Sequence, residues 1–269
     1  MLYKRMLTAL TALPIIGCFI YLGGLPFAFL TGLIGAVALY EYFNLTSHQV
    51  RFPLFFKILA GSAAVFILLN GLTSNTLYLS IAIMLLVFGG LLGGLWFEQQ
   101  QDYLLSWALT VAGVLYLIWP LSLLIALREA PEGAWWIILA ATAIWGCDTG
   151  AYFVGRALGG KIFGERKFSP KWSAKKTWEG FFGGVFFSFI LTFLLSTWLL
   201  DLASWQATLL GLLVGPFSAL GDLVESMIKR RVGVKDSSQL IPGHGGILDR
   251  LDSVQFGVIV IYFFTQWVV

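Results

Sequence analysis

Ser226-Met-Ile-Lys-Arg-Arg-Val-Gly-Val-Lys-Asp-Ser-Ser-Gln-Leu-Ile-Pro-Gly-His-Gly-Gly-Ile-Leu-Asp-Arg-Leu-Asp252 joins two apolar runs, each long enough to cross a bilayer. Within it, Lys229, Arg230, Arg231 and Lys235 can neutralise phosphate oxygens, and Asp236, Asp249 and Asp252 are the hard oxygen ligands that Mg²⁺ prefers. Gly243, Gly245 and Gly246 allow backbone amides to approach a ligand closely. A loop that only sets topology needs cations but has no use for carboxylates or clustered glycines. The stretch therefore suggests phosphate chemistry at a membrane surface.

The composition around it is that of a polytopic membrane protein: 269 residues, 58% hydrophobic and 12% charged, with a mean hydropathy of +0.85. A formal charge of +3 is small for nucleic-acid binding, and the cations sit in blocks beside apolar runs, so no nucleic-acid partner is expected. Cys18 and Cys147 both lie in apolar segments, which argues against a disulfide framework or a thiolate metal site. Lys4-Arg5 followed by an apolar stretch resembles a signal peptide, but the residues after Cys18 stay apolar, so the segment reads as an uncleaved first span.

A membrane helix needs roughly 17 to 25 apolar residues, and nine candidates are found. They lie near Met6 to Leu22, Leu25 to Phe43, Phe55 to Asn70, Thr76 to Trp96, Leu104 to Leu127, Ala134 to Val154, Gly180 to Leu200, Ala207 to Ile228 and Ser253 to Val269. The third and ninth are short enough to be re-entrant or interfacial. The expected fold class is an all-α helix bundle of about nine transmembrane helices. Residues 1–133 would form a scaffold, and residues 134–269 would carry the site on cytoplasmic loops 155–177 and 229–252, all in one integral membrane domain. With Lys4 and Arg5 inside, only Arg128 of the 17 Lys and Arg residues falls outside. That asymmetry predicts a cytoplasmic N-terminus and an external C-terminus. Spacings such as Gly89xxxGly93, Gly180xxxGly184 and Gly211xxxGly215 suit close helix packing within the bundle and would also suit a homodimer.

Ionisable residues inside a span are costly and ask for a partner or a function. Asp148 and Asp222 are such residues. Asp222 lies seven positions before Lys229, about 10 Å at helical rise, so its carboxylate sits just below the expected cytoplasmic surface. Asp222, Glu225, Ser226 and Lys229 fall on one helical stripe, and Asp249 and Asp252 share a face at the entrance to the ninth span. Converging carboxylates make a candidate divalent-ion site. The alternative for the stripe is an intramembrane salt bridge from Lys229 to Asp222 or Glu225, and for Asp249 and Asp252 it is the usual preference for acids at a helix N-terminus. His244, in Pro242-Gly243-His244-Gly245-Gly246, can donate to a phosphate or exchange a proton near neutral pH. His48 reads as structural.

The other long loop ends in Ser169-Pro170-Lys171-Trp172-Ser173-Ala174-Lys175-Lys176-Thr177-Trp178-Glu179-Gly180. Its lysines and hydroxyls precede a helix whose N-terminal amides favour an anion. Trp172 and Trp178 suit the bilayer interface. No GxxxxGK[ST] loop, strand-flanked GxGxxG, HExxH, paired CxxC or GxSxG elbow occurs. Direct phosphoryl displacement without a covalent intermediate is the simpler expectation.

The stretch from Ser226 to Asp252, with Lys229-Arg230, Lys235-Asp236, His244-Gly245-Gly246 and Asp249-Arg250-Leu251-Asp252, resembles the C-terminal motif of the phosphatidate cytidylyltransferase (CDP-diacylglycerol synthase) family, without gaps. Asp148-Thr149-Gly150-Ala151-Tyr152 with Gly155-Arg156, and Lys175-Lys176-Thr177 with Glu179-Gly180, are similar to two further family segments in the same order. Where the family usually reads Ser-Pro-Lys-Lys-Thr, this chain has Ala174 in place of the proline. The N-terminal helices match only in being hydrophobic.

The resemblance implies transfer of cytidylyl from CTP to phosphatidic acid at the bacterial inner membrane, with release of pyrophosphate. It implies catalytic roles for Asp222, Lys229, Arg230, Lys235, Asp236, His244, Asp249 and Asp252. Substrate-binding roles are implied for Asp148, Ser173, Lys175, Lys176, Thr177, Glu179, Gly245, Gly246 and Arg250. Mg²⁺ would be held by Asp222, Asp249, Asp252 and Asp148, with a second metal or a monovalent cation left open. Read from the residues alone, a cation-coupled transporter using Asp148 and Asp222, a different lipid phosphotransferase such as a polyprenol kinase, and a purely structural bundle are the competing readings.

Overall fold

The computed structural model describes residues 2–96, 102–164, 166–240 and 245–268. The protein is an all-α polytopic membrane protein with one small hairpin. Nine helices are described: α1 (Leu2–Leu22), α2 (Gly24–Thr46), α3 (Leu54–Thr73), α4 (Thr76–Gly93), α5 (Tyr103–Glu129), α6 (Gly133–Leu158), α7 (Trp178–Leu199), α8 (Ser204–Arg231) and α9 (Leu248–Val268). Helices α2 to α9 are each long and apolar enough to span, and α1 contributes a shorter apolar stretch, Leu10–Leu22. The third and ninth helices are longer than the apolar runs alone suggest, at 20 and 21 residues. Helix α9 starts at Leu248 rather than Ser253, which places Asp249 and Asp252 inside its first turns.

Two compact units divide the chain. The first comprises Met1–Glu129 with Asp236–Asp249, and the second Ala130–Lys235 with Arg250–Val269. The long connection after α8 is thus shared between them.

In the first unit, α5 packs on α2 and α3, and the contacts are made where side chains vanish. Gly71 of α3 lies so close to the Ser122 carbonyl of α5 that a Cβ there has no room. Buried hydroxyls fold back on their own helices, as with Thr110 onto the Ser106 carbonyl (2.7 Å) and Thr46 onto the Tyr42 carbonyl (2.7 Å). Such bonds satisfy polar atoms where water is scarce. Helix α4 widens to a π-helical turn at Leu85–Gly89. The Leu86 carbonyl accepts from Trp107 Nε1 at 2.7 Å, and the Gly90 carbonyl accepts from the Tyr103 hydroxyl. Two side chains of α5 thereby meet carbonyls near the irregular turn. Phe55, Phe56 and Leu59 of α3 enclose these donors. Arg128, the one cation that breaks the charge asymmetry, donates from Nε to the Ile20 carbonyl (2.5 Å) and from Nη2 to the Tyr21 carbonyl (3.0 Å). It caps the C-terminal end of α1, where a cation complements the helix dipole.

In the second unit, α7 lies against both α6 and α8. Gly180 and Gly184 of α7 face Ala151, Gly155 and Cys147 of α6, and Gly211 and Gly215 of α8 face Phe189 and Val185 of α7. These glycine pairs therefore serve packing within the chain. Between α6 and α7 the loop forms an antiparallel hairpin of β1 (Lys167–Ser169) and β2 (Ser173–Thr177). Phe168 fixes it to the start of α7 by stacking on Phe181 at 4.6 Å and meeting Trp178 edge-on at 4.9 Å.

Gly71→Val should lower the thermal unfolding midpoint of the detergent-purified protein by several degrees. An overpacked site costs about 1–3 kcal/mol, at about 2–4 °C per kcal/mol for a chain of this size. Gly61→Ala on the same helix, where a Cβ meets nothing within 4 Å, should leave the midpoint unchanged or slightly raised.

Candidate active site

The polar residues of the second unit come together from four elements. β2 runs into α7 through Thr177, whose hydroxyl accepts from the Gly180 amide at 3.1 Å and caps the helix. Strand alternation then sends neighbouring lysines opposite ways: Lys175 is exposed, while Lys176 points to α8 and pairs with Asp222, Nζ to Oδ2 at 2.7 Å. Asp222 is stabilised again on its own helix, where Ser226 Oγ approaches Oδ1 at 3.4 Å. Asp148 of α6 takes a long 3.4 Å hydrogen bond from Ser253 Oγ of α9. Asp252 Oδ1 accepts from the Ser253 amide at 2.6 Å, and its side chain lies beside Glu225. The charges of Asp148, Asp222 and Asp252 act on one another, with Lys176 opposing them at Asp148 and Lys229 at Asp252.

Lys229 is buried and pairs with Glu225, Nζ to Oε1 at 3.1 Å, one helical turn apart. The salt bridge that the stripe allows is thus made to Glu225. Breaking such a buried pair from one side costs about 3–5 kcal/mol. Around the cluster, Asp148, Asp222, Glu225 and Asp252 stand against Lys176 and Lys229. Four carboxylates against two ammonium groups leave two formal negative charges when all are ionised. Among the described residues no three His, Cys, Asp or Glu side chains close into a ready-made cage. Mg²⁺ does not need one, since it is usually held by one or two carboxylates with the rest of its shell from water and phosphate. Hard oxygen donors with excess negative charge fit that ion.

Glu179 has another place. Its Oε1 accepts from the amides of Gly160 (3.0 Å), Ile162 (3.1 Å) and Phe163 (2.9 Å), so this buried carboxylate ties the turn after α6 to the start of α7. Arg230 is exposed and donates from Nη1 to the Val234 carbonyl at 2.7 Å, closing the end of α8. Lys235 and Arg250 are exposed, and Ser173 is half-buried opposite Ser169 in the hairpin. Lys171 and Arg231 lie over the Trp172 ring at 4.7 Å and 5.4 Å.

In the first unit, the loop that leads into α9 is knitted by two carboxylates. Asp249 Oδ2 accepts from the Ser237 amide (3.0 Å), Ser237 Oγ (3.0 Å) and the Gly246 amide (2.9 Å). Glu41 of α2 accepts from Ser237 Oγ (3.2 Å), Ser238 Oγ (2.6 Å) and the amides of Ile247 (3.1 Å) and Leu248 (2.8 Å). Gly245 has φ +80, a conformation that disfavours any side chain, and a Cβ there would run into the Asp249 carboxylate. A Cβ on Gly246 would run into Ser237 and Glu41. Asp236 is exposed at the start of this loop. His244 lies outside the described residues. The sequence reading does not single out Glu41, although an acid inside the second apolar run carries the same signal as Asp148 and Asp222.

Comparison with known proteins identifies the family. The sequence pattern of the Cytidylyltransferase family matches residues 3–268. A Bacillus subtilis protein named phosphatidate cytidylyltransferase is 33% identical, covering 97% of this chain and 96% of its own length. A Pseudomonas aeruginosa protein of the same name is 34% identical over 94% of this chain and 93% of its own. A Haemophilus influenzae protein, also so named, is 44% identical over 132 residues, 47% of this chain and 44% of its own. With a match running almost from end to end, this chain is an enzyme of the cytidylyltransferase family.

Proposed function

We propose that the protein transfers cytidylyl from CTP to phosphatidic acid, giving CDP-diacylglycerol and pyrophosphate, at the cytoplasmic face of the bacterial inner membrane. The observation that carries this reading is the convergence of Asp148, Lys176, Asp222, Glu225, Lys229 and Asp252 from four elements of a membrane unit. The names of the near-full-length relatives supply the substrates.

The reaction must bring two polyanions together and hold them in line. The lipid phosphate is already a competent nucleophile toward the α-phosphorus, so no dedicated base is required. Lys176 and Lys229 set positive charge among the carboxylates, and exposed Lys175, Arg230, Lys235 and Arg250 face the solvent from which a nucleotide would arrive. Asp148, Asp222 and Asp252 are the residues we assign to the cation. Magnesium, when bound, would screen the phosphates and stabilise the pyrophosphate leaving group. Asp222 is held by Lys176 and Ser226, so its carboxylate is oriented before any ligand binds. Placement of these acids on spanning helices, below a basic surface, suits a lipid headgroup that enters from the side.

Asp222→Asn and Asp252→Asn should each lower phosphatidate-dependent pyrophosphate release from CTP by about 10²-fold or more, with the purified proteins still eluting as folded species in detergent. Near-native turnover in the Asp222 variant would remove it from the cation site. Release of a nucleoside diphosphate instead of pyrophosphate would point to a lipid kinase. For orientation, Lys175→Cys in a Cys18→Ser background should react with an impermeant maleimide in inside-out vesicles and stay unlabelled in right-side-out ones. The reverse pattern contradicts the assigned face.

A further inference from the structure

The turn that follows α6 carries its apolar side chains on the outside. Ile162 is 64% exposed and Phe163 45%, although both lie beyond the helix end at Leu158. Its amides, in contrast, are turned inward. Glu179 Oε1 accepts from Gly160, Ile162 and Phe163, and Glu179 itself is buried. A turn in water has no need of such a partner, since solvent satisfies its amides, and exposed Ile and Phe side chains are unfavourable there. Where the acyl region meets the headgroups the reverse holds: backbone donors must be met from within the protein, and apolar tips are favoured.

Ring contacts extend this apolar tip sideways. Phe163 meets Phe182 at 5.6 Å, Phe182 meets Trp178 at 6.0 Å, and Trp178 meets Phe168 of β1 at 4.9 Å. Phe182 is exposed as well. One aromatic row thus runs from the turn, across the start of α7, to the hairpin, beside the ends of two helices long enough to span. Such a row suits the membrane–water boundary.

The charge around the row is one-sided. Residues 155–177 hold seven Lys and Arg against a single acid, Glu165. Among the described residues, Lys176 is the only one of the seven in a salt bridge. Lys161 precedes Ile162, Lys167 precedes Phe168, and Lys171 precedes Trp172; all three lysines are exposed. Cations at this density beside an apolar row complement acidic headgroups.

We propose that the turn at residues 159–163, together with the hairpin, is a docking surface for acidic phospholipids. Ile162 and Phe163 sit among the acyl chains, and Lys161, Lys167 and Lys171 meet the headgroup phosphates. The surface selects its neighbouring lipids by charge, with no nucleotide required.

The test uses the full-length protein in nanodiscs without CTP. A bimane fluorophore is attached to Ile162→Cys or, in a second variant, to Phe163→Cys, each in a Cys18→Ser background; Cys147 is buried. Emission is compared between discs in which either the phosphatidylcholine or an equal fraction of phosphatidylglycerol carries bromine on its acyl chains. Both labels should be quenched, and brominated phosphatidylglycerol should quench about two-fold more than brominated phosphatidylcholine. Lys161→Gln, Lys167→Gln and Lys171→Gln combined should bring the two lipids to equality while the label stays quenched. Absence of quenching at both positions would place the turn in water and overturn the proposal. Equal quenching by the two lipids with the lysines intact would also overturn it, leaving an apolar contact without headgroup selection. Because neither lipid is phosphatidic acid and no CTP is present, the result stands apart from that of the cytidylyl transfer.

Discussion

A carboxylate inside an apolar helix bundle must find a cation or a set of hydrogen-bond donors, because lipid offers neither. That constraint organises the second unit. Asp222 is met by Lys176, which reaches it only because β2 alternates and Lys175 faces away. The hairpin in turn is placed by aromatic stacking on α7 and by Thr177 capping that helix. Asp222 thus fixes the loop between α6 and α7 as much as the loop fixes Asp222. Glu225 and Lys229 solve the same problem one turn along, inside a single helix. What remains, among the described residues, is an excess of two formal negative charges over Lys176 and Lys229.

Glu179 and Glu41 are buried acids that hydrogen-bond donors satisfy. Glu179 gathers three backbone amides of the Gly160–Phe163 turn, and Glu41 gathers two amides and two hydroxyls from the loop before α9. Both are almost fully buried, at 2% exposure, and both act as staples between distant parts of one unit. The contrast separates the acids by task. Those saturated by backbone donors shape loops, and those set among other carboxylates are the ones we assign to a divalent ion.

The spanning helices were legible from apolar runs alone, as were the carboxylates at Asp148 and Asp222, since an ionised group in such a run is conspicuous. Other features were not. Lys176 and Lys175 are adjacent and chemically alike, and only the strand that places them on opposite sides tells them apart. Spacing alone lets Lys229 pair with either Asp222 or Glu225, and it is Glu225 that lies at 3.1 Å. Glu41 was hidden because its partners lie 196 to 207 positions away, and no local pattern announces a cap supplied by another helix. The extra turn at the start of α9 has the same origin, since apolar periodicity begins only after Asp249, Arg250 and Asp252, while Glu41 caps the first amides of the helix.

Continuous-wave EPR of Mn²⁺, taken as a Mg²⁺ surrogate, with the purified protein in detergent and CTP present, addresses the central claim most directly. Loss of the free-ion signal in wild type, and its retention when Asp222 and Asp252 are both replaced by Asn, is the result the account predicts. Equal sequestration of Mn²⁺ by wild type and the double variant, each corrected for the ion bound by CTP alone, would contradict it.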